Sequence, residues 1–298
     1  MTNTTTAPTH AERRLLVGLI GQGIQHSMTP AMQEREAGAH GVRLHYQLVD
    51  LAEPAAGDVE LSEVVKAMRA IGFAGFNVTF PYKQAILPLL DDLSEEARAM
   101  GAVNTVVNTG GKLVGHNTDG SGWARGFRRA LPEADLARVV LLGAGGAGSA
   151  VADAVLRLGA PRLTVVDIDA ARIDALAFKL NTQHGAGRVD ATTDIAAALD
   201  GATGLIHATP TGMRAMPGLP LPEHLLRPSL WVSEIVYFPL ETELLKVARA
   251  RGCPTSDGGG MAVGQAIGAF QLFTGLAPDP ARIDAHFRAM VDAKAAQD

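Results

Sequence analysis

Short apolar runs ending in glycine, proline or a charge punctuate this chain, and helical spacing fills the stretches between them. Leu15–Gly21 is such a run, suited to a strand buried on both faces of a parallel sheet. A helix follows, with Thr29 as its N-cap and Pro30 at its first position. His45–Leu51 reads as a second strand. Leu61, Val64, Val65, Met68 and Ile71 recur at helical spacing, and Gly72 ends that helix. Gly75–Phe80 is strand-like and stops at Pro81. Ala102–Asn108 and Lys112–Asn117 read as two β-segments joined by Thr109-Gly110-Gly111. A second unit begins near residue 137. There Val139–Leu142 runs straight into Gly143-Ala144-Gly145-Gly146-Ala147-Gly148, a helix spans Ser149–Leu158, and a strand spans Leu163–Val166. Gly204–Ala208 and Trp231–Val236 are further strands, Met261–Phe273 an apolar helix, and Pro280–Ala295 a closing amphipathic segment. Strands alternating with helices of about ten or more residues predict βαβ units.

Composition narrows the class. The chain has 298 residues, 47% of them hydrophobic, which is enough for one large or two modest cores. With 26 Lys+Arg against 31 Asp+Glu the net charge is -5, a poor fit to nucleic-acid binding. The single cysteine, Cys253, excludes an intramolecular disulfide framework and a cysteine-clustered zinc site. The histidines lack metal-ligand spacing, so no metal is expected. No apolar run reaches the ~18 residues of a membrane span. The polar N-terminal tract reads as a disordered tail, residues 1–14, on a cytoplasmic protein.

A lone G-x-G-x-x-G is a weak signal. Here Gly143, Gly145 and Gly148 lie between a buried strand and a helix, and Asp167 closes the next strand. Gly143 permits the tight turn, Gly145 lets backbone approach a pyrophosphate, and Gly148 allows close helix packing. The helix N-terminus supplies N–H groups and positive dipole to the phosphates. A carboxylate at Asp167 accepts ribose hydroxyls and repels a 2′-phosphate, which favours NAD over NADP. Arg172 leaves three options open: neutralising such a phosphate, pairing with Asp167, or stacking on adenine. The bland reading is a doubly wound fold that uses these glycines for packing alone. On this reading an N-terminal α/β domain precedes a dinucleotide domain, with the site in the cleft between them.

Several segments then act together: Ser27-Met28-Thr29-Pro30, Asn77-Val78-Thr79-Phe80-Pro81-Tyr82-Lys83, Gly101-Ala102-Val103-Asn104-Thr105, Gly115-His116-Asn117-Thr118-Asp119-Gly120, Ala208-Thr209-Pro210-Thr211-Gly212-Met213 and Gly264-Gln265-Ala266. With the glycine fingerprint, this pattern resembles the shikimate dehydrogenase family, of which quinate/shikimate dehydrogenases are one branch. The resemblance runs from about residue 15 to about residue 285. It implies an N-terminal α/β substrate domain over 15–120, completed by the C-terminal helices 261–298, and a Rossmann-type doubly wound domain over 121–260. It implies Lys83 and Asp119 as the catalytic pair, which suits oxidation of a secondary alcohol, where a hydroxyl proton must be taken up or returned. It assigns Ser27 and Thr29 to the substrate carboxylate, and Thr79, Asn104 and Gln265 to ring hydroxyls. Tyr237 falls on the substrate or nicotinamide side. For the cofactor it implies Ala144, Gly146 and Ala147 beside the three fingerprint glycines, then Asp167, Arg172, Thr209, Val236 and Gly258, with Met213 and Met261 as apolar walls.

Thr29 stands where many members have serine, which resembles the quinate/shikimate branch, as does Asp167. Gln33-Glu34 stand near a common His-Asn, and His207 replaces an asparagine common before Ala-Thr-Pro. The run Asp257–Met261 reads as a mobile glycine-rich edge. The expected activity is hydride transfer between quinate or shikimate and NAD, giving 3-dehydroquinate or 3-dehydroshikimate, by a monomer or homodimer. The alternatives are an NADP-dependent biosynthetic shikimate dehydrogenase, an aminoshikimate-type dehydrogenase, methylene-tetrahydrofolate dehydrogenase and a non-catalytic nucleotide sensor. Lys83 with Asp119 argues against the sensor, and the Ser-x-Thr, Asn104 and Thr-Asp set fits a cyclic hydroxy acid better than a folate.

Overall fold

The buried apolar runs do become strands, and they assemble into two separate sheets. A computed structural model describes residues 13–53 and 57–296. Most of the expected tail, residues 1–12, lies outside the described residues, while Arg14 already belongs to the first strand. The chain divides into two units. The first runs through Thr118 and takes in Ala266–His286; the second holds Asp119–Gln265 and the residues from Phe287 onward.

In the first unit β1 (Arg14–Gly21) pairs in parallel with β2 (Arg43–Asp50) and with β3 (Gly75–Val78). Beyond β3 the sheet turns mixed, and its full order is β2-β1-β3-β5-β6-β4, with β4 Asp92–Leu93, β5 Thr105–Thr109 and β6 Lys112–His116. β3 is buried at all four positions, Asn77 included. Ile20, Phe76, Val78, Ile86, Val103, Val106 and Leu113 form the core on one side, with Val65 and Met68 of α2 (Leu61–Ala70).

The helix α1 (Thr29–Ala39) corrects the expected cap. Met28 is the N-cap residue, Thr29 is the first helical residue, and the Met28 side chain makes no capping hydrogen bond. A further helix, α3 (Glu95–Met100), has no counterpart in the pattern of apolar spacing. Six residues are too few to show a period; local chemistry makes it, with the Ser94 hydroxyl accepting from Ala97 N at 3.2 Å and Gly101 closing it at φ 63°.

The second unit carries six parallel strands, β7 (Val139–Leu142), β8 (Leu163–Val166), β9 (Val189–Thr192), β10 (Gly204–His207), β11 (Trp231–Glu234) and β12 (Thr255–Ser256), in the order β12-β11-β10-β7-β8-β9. Counted from β7 this is the 3-2-1-4-5-6 order of a doubly wound dinucleotide fold. The order reverses between β7 and β10. α4 (Asp119–Ala130), α5 (Gly146–Arg157), α6 (Ala170–His184), α7 (Ile195–Leu199) and α8 (Glu243–Ala250) are among its helices.

The glycine-rich run before Met261 is not a loose edge. Gly259 and Gly260 open α9 (Gly259–Thr274). A Cβ on Gly258 would lie 2.3 Å from the Val236 carbonyl oxygen, and one on Gly264 2.2 Å from that of Gly122 in α4. The glycines are there because backbone meets backbone.

Candidate active site

In an α/β sheet, ligands gather at the carboxyl ends of the strands. In the first unit the loops that follow β1 and β3 lie side by side there. Gln22 N donates to Phe80 O at 3.1 Å, and a Cβ on Gly21 would meet the Thr79 methyl at 2.5 Å. The loop after β1 is held by Asp50, whose carboxylate accepts from Gly23 N at 2.9 Å and Ile24 N at 2.8 Å. Burial alone would raise the Asp50 carboxyl, but the backbone N–H groups of Ala52, Ile24 and Gly23 outweigh it and hold it below its usual range. Ser27 ends this loop, and its hydroxyl accepts from Thr29 N at 3.3 Å.

Lys83 lies in the turn after β3, beyond the cis Phe80–Pro81 bond, and is partly buried. Its carbonyl accepts from Val103 N at 2.8 Å, which sets that turn beside Asn104. Asn104 is almost wholly buried. Its amide donates to the Thr118 hydroxyl at 2.9 Å, while its oxygen accepts from Thr118 N at 2.8 Å and from the Thr105 hydroxyl at 2.9 Å. Asn77 extends the network, donating to Thr105 at 2.9 Å and accepting from the Tyr46 hydroxyl at 2.7 Å. Ser27, Thr29, Thr79, Lys83, Asn104 and Thr118 therefore stand around one end of the β1–β3–β5 segment. Thr118 and Asn77 stand in the quoted motif segments but were given no role of their own from the sequence. A buried threonine or asparagine beside a strand carries no local signal of its partner.

Gln33 and Glu34 have structural partners: Gln33 donates to Ala266 O at 2.8 Å, and Glu34 accepts from Tyr46 N at 2.8 Å.

In the second unit the fingerprint glycines divide by role. Gly143 has φ 108°, and a Cβ there would lie 2.6 Å from Ala208 O. A Cβ on Gly148 would lie 2.0 Å from Gly143 O. These two glycines are required by packing. A Cβ on Gly145 or Gly146 would meet nothing within 4 Å, so the start of α5 faces open space. That is the cradle a phosphate needs: free backbone N–H groups at a helix N-terminus with no side chain before them. Asp167 binds this loop from the neighbouring strand, accepting from Ala144 N at 2.8 Å and from Asp169 N at 3.2 Å. Burial alone would raise its carboxyl; these N–H groups, with Arg172, hold it below the usual carboxylate range. Arg172 lies 3.9 Å from Asp167 and 3.4 Å from Asp169. Of the three options left open for it, pairing with acids is the arrangement seen.

Thr209 follows β10 directly beside Gly143, and Val236 is buried after β11. Met213 is exposed at the far end of the Thr209 loop, whereas Met261 packs against the core of the second unit. Tyr237 is half-exposed, its ring 6.3 Å from Phe287. Asp119 is buried at the first position of α4. The Gln265 amide donates to Ala262 O at 3.1 Å within its own helix. Sequence reasoning also missed Glu234, which is fully buried and pairs with His207 at 2.8 Å. The signal was available as two polar residues closing two adjacent buried strands.

Comparison with known proteins places the whole chain. Residues 19–106 match the family model for the shikimate dehydrogenase substrate binding domain. A shikimate dehydrogenase (NADP(+)) of Streptomyces avermitilis is 55% identical over 270 residues, covering 90% of this chain and 93% of the relative. A quinate/shikimate dehydrogenase (NAD(+)) of Corynebacterium efficiens is 47% identical over 276 residues, covering 92% and 97%. The solved structure of quinate dehydrogenase from Corynebacterium glutamicum in complex with NAD superposes with a TM-score of 0.90 at 46% identity, covering 93% of this chain and 99% of that one. The chain belongs to the shikimate dehydrogenase family.

Proposed function

We propose that this chain is an NAD-dependent quinate/shikimate dehydrogenase, acting in the cytoplasm as a monomer or homodimer. The observation that carries the cofactor half is Asp167. Its carboxylate is fixed beside the glycine loop by two N–H donors and held ionised. An ionised carboxylate there receives ribose hydroxyls and opposes a 2′-phosphate. The NAD-bound quinate dehydrogenase structure, at 46% identity, supports the same reading. The NADP-named relative at 55% identity keeps NADP-dependent shikimate dehydrogenase as the second reading.

NAD held at the Gly143–Gly148 loop and Asp167 would supply the hydride acceptor for oxidation of the carbon that bears the ring hydroxyl. One of the pair, Lys83 as its neutral amine or Asp119 as its carboxylate, takes the hydroxyl proton and returns it in the reverse direction. Ser27 and Thr29 hold the substrate carboxylate at the start of α1, where the helix end favours an anion. Thr79, Asn104 and Gln265 orient the ring hydroxyls. Asn104 is well suited to orienting, because Thr105 and Thr118 hold its amide in one rotamer. Tyr237 borders the substrate. Gly143 to Gly148, with Thr209, Met213, Val236, Gly258 and Met261, bound the dinucleotide.

The test is a grid of initial rates, quinate or shikimate with NAD or NADP, run on the wild type and on Asp167→Ala. The expected outcome is turnover with NAD on both substrates, and an NAD-to-NADP preference that falls at least tenfold in the variant. Activity confined to shikimate with NADP would establish the second reading. An unchanged cofactor ratio in the variant would remove Asp167 from ribose recognition.

A further inference from the structure

His207 closes β10 and Glu234 closes β11, and the two residues are direct partners in the parallel register. Neither side chain has any exposed surface. His207 Nδ1 lies 2.8 Å from Glu234 Oε1, and His207 Nε2 lies 2.6 Å from the Thr209 hydroxyl. Glu234 Oε1 also accepts from the N–H groups of Ile235 at 2.8 Å and Val236 at 2.9 Å, and Oε2 accepts the Thr242 hydroxyl at 3.0 Å. A carboxylate surrounded by donors is an acceptor only, so the hydrogen between it and the imidazole sits on Nδ1. In the neutral imidazole with that tautomer, Nε2 presents a lone pair, and the Thr209 O–H donates into it. The Thr209 oxygen is then left with lone pairs alone. One faces Thr211 N at 3.3 Å. Thr209 itself is half-buried, and its backbone N would lie 2.9 Å from a Cβ on Gly143, where the strand order reverses.

We infer that Glu234 and His207 are positioning residues that fix the direction of the Thr209 hydroxyl, so that Thr209 meets a bound dinucleotide as a hydrogen-bond acceptor. The ligand group it takes is an O–H or N–H donor, a ribose hydroxyl or a carboxamide. A phosphate oxygen has no hydrogen to give and is excluded from this position. The inference rests on the dinucleotide reading of the Gly143–Gly148 loop. It adds a relay, from the end of β11 through β10 to the cofactor loop, that sets which polarity that loop offers.

Two measurements on the full chain test it. Nitrogen NMR of the histidine-labelled protein without ligand will show His207 protonated on Nδ1 and bare on Nε2; a hydrogen on Nε2 overturns the inference. Calorimetry of NAD binding without substrate reads the consequence. Thr209→Val and His207→Asn will each weaken NAD about three- to tenfold, the worth of one hydrogen bond. Thr209→Ser will restore wild-type affinity. His207→Gln, whose amide reaches the Nε2 position, will stay within about twofold of the wild type. Adding His207→Asn to Thr209→Val will change nothing further, because the relay acts only through that hydroxyl. Additive losses in the double variant would mark His207 as purely structural and overturn the inference. So would wild-type NAD affinity in Thr209→Val, a variant of a half-buried residue that stays informative if a buried His207 variant fails to fold. A wild-type protein that binds neither NAD nor NADP removes the dinucleotide reading and this inference with it.

Discussion

Lys83 earns its place by position. It stands in the turn after β3, at the carboxyl end of a parallel strand, with its backbone tied to Val103. Lys83→Ala should therefore cut turnover by about 10²–10⁴-fold, the usual contribution of an acid–base group, while NAD affinity stays within about twofold. Steady-state rates and calorimetry on the same preparation check this, and near-normal turnover would take Lys83 out of the mechanism. Two other residues show how one side chain acquires two duties. Asp167 ties the glycine loop through Ala144 N and, as proposed, reads the ribose. Asn104 braces Thr118 and, as proposed, orients the substrate ring.

Between elements, glycine does two separable things. At Gly148 it allows α5 to reach the end of β7, since a Cβ would collide with Gly143 O at 2.0 Å. At Gly145 it keeps open space in front of the helix, since a Cβ there would touch nothing within 4 Å. The two alanine variants should part company. Gly148→Ala should destabilise the second unit by about 1–3 kcal/mol, as overpacking does, and lose NAD binding with it. Gly145→Ala should leave stability within about 1 kcal/mol, as a change of N-cap residue does, yet weaken NAD at least tenfold. Urea midpoints and NAD calorimetry distinguish them. Full NAD affinity in Gly145→Ala would return that glycine to a packing role. The same backbone-on-backbone logic explains α4 against α9, where Gly122 and Gly264 would otherwise clash.

At the scale of the whole molecule, the chain leaves the first unit at Thr118 and returns to it at Ala266. One buried charge fastens the return. Glu36 on α1, 1% exposed, accepts from Arg282 at 2.6 and 2.7 Å and from Asp279 N at 2.8 Å, with His40 at 3.0 Å. Arg282 and Asp279 lie at the start of α10 (Pro280–Ala295). Burial alone would raise the Glu36 carboxyl above its ordinary 4.5; Arg282, Asp279 N–H and His40 outweigh it and lower it. A carboxyl lowered on folding contributes stability that is complete above its unfolded value and is lost as pH falls through the folded one. Arg282→Ala should destabilise the first unit, seen as severalfold faster amide exchange in α1 at neutral pH. It should also move the acid loss of protection to higher pH. An unchanged acid limb would show that Arg282 does not hold Glu36 ionised.

The strands β1, β2, β3, β5, β6, β7, β8, β10 and β11 (unlike β4, β9 and β12), the glycine fingerprint, Asp167 at the end of β8 and the segments that carry the family resemblance were legible in the chain itself. Each is a local matter of period, punctuation or a motif a few residues long. Pro280–Ala295 was read to the residue as the closing segment, and Met261–Phe273 to within two residues at its start. Local spacing missed what depends on partners far along the chain. The cap of α1 fell one residue earlier than expected, because the loop held by Asp50 sets where the helix begins. The run Gly258–Gly260 looked like a loose loop, yet it starts a helix pressed against Val236 and Gly126. His207 looked like a simple departure from an asparagine, until β10 and β11 set Glu234 beside it. Sequence determines which stretches are strand, helix or phosphate loop, since those follow from neighbours in the chain. Tertiary structure decides which polar groups are buried together, since a hydrogen bond across 27 positions exists only once two strands have been laid side by side.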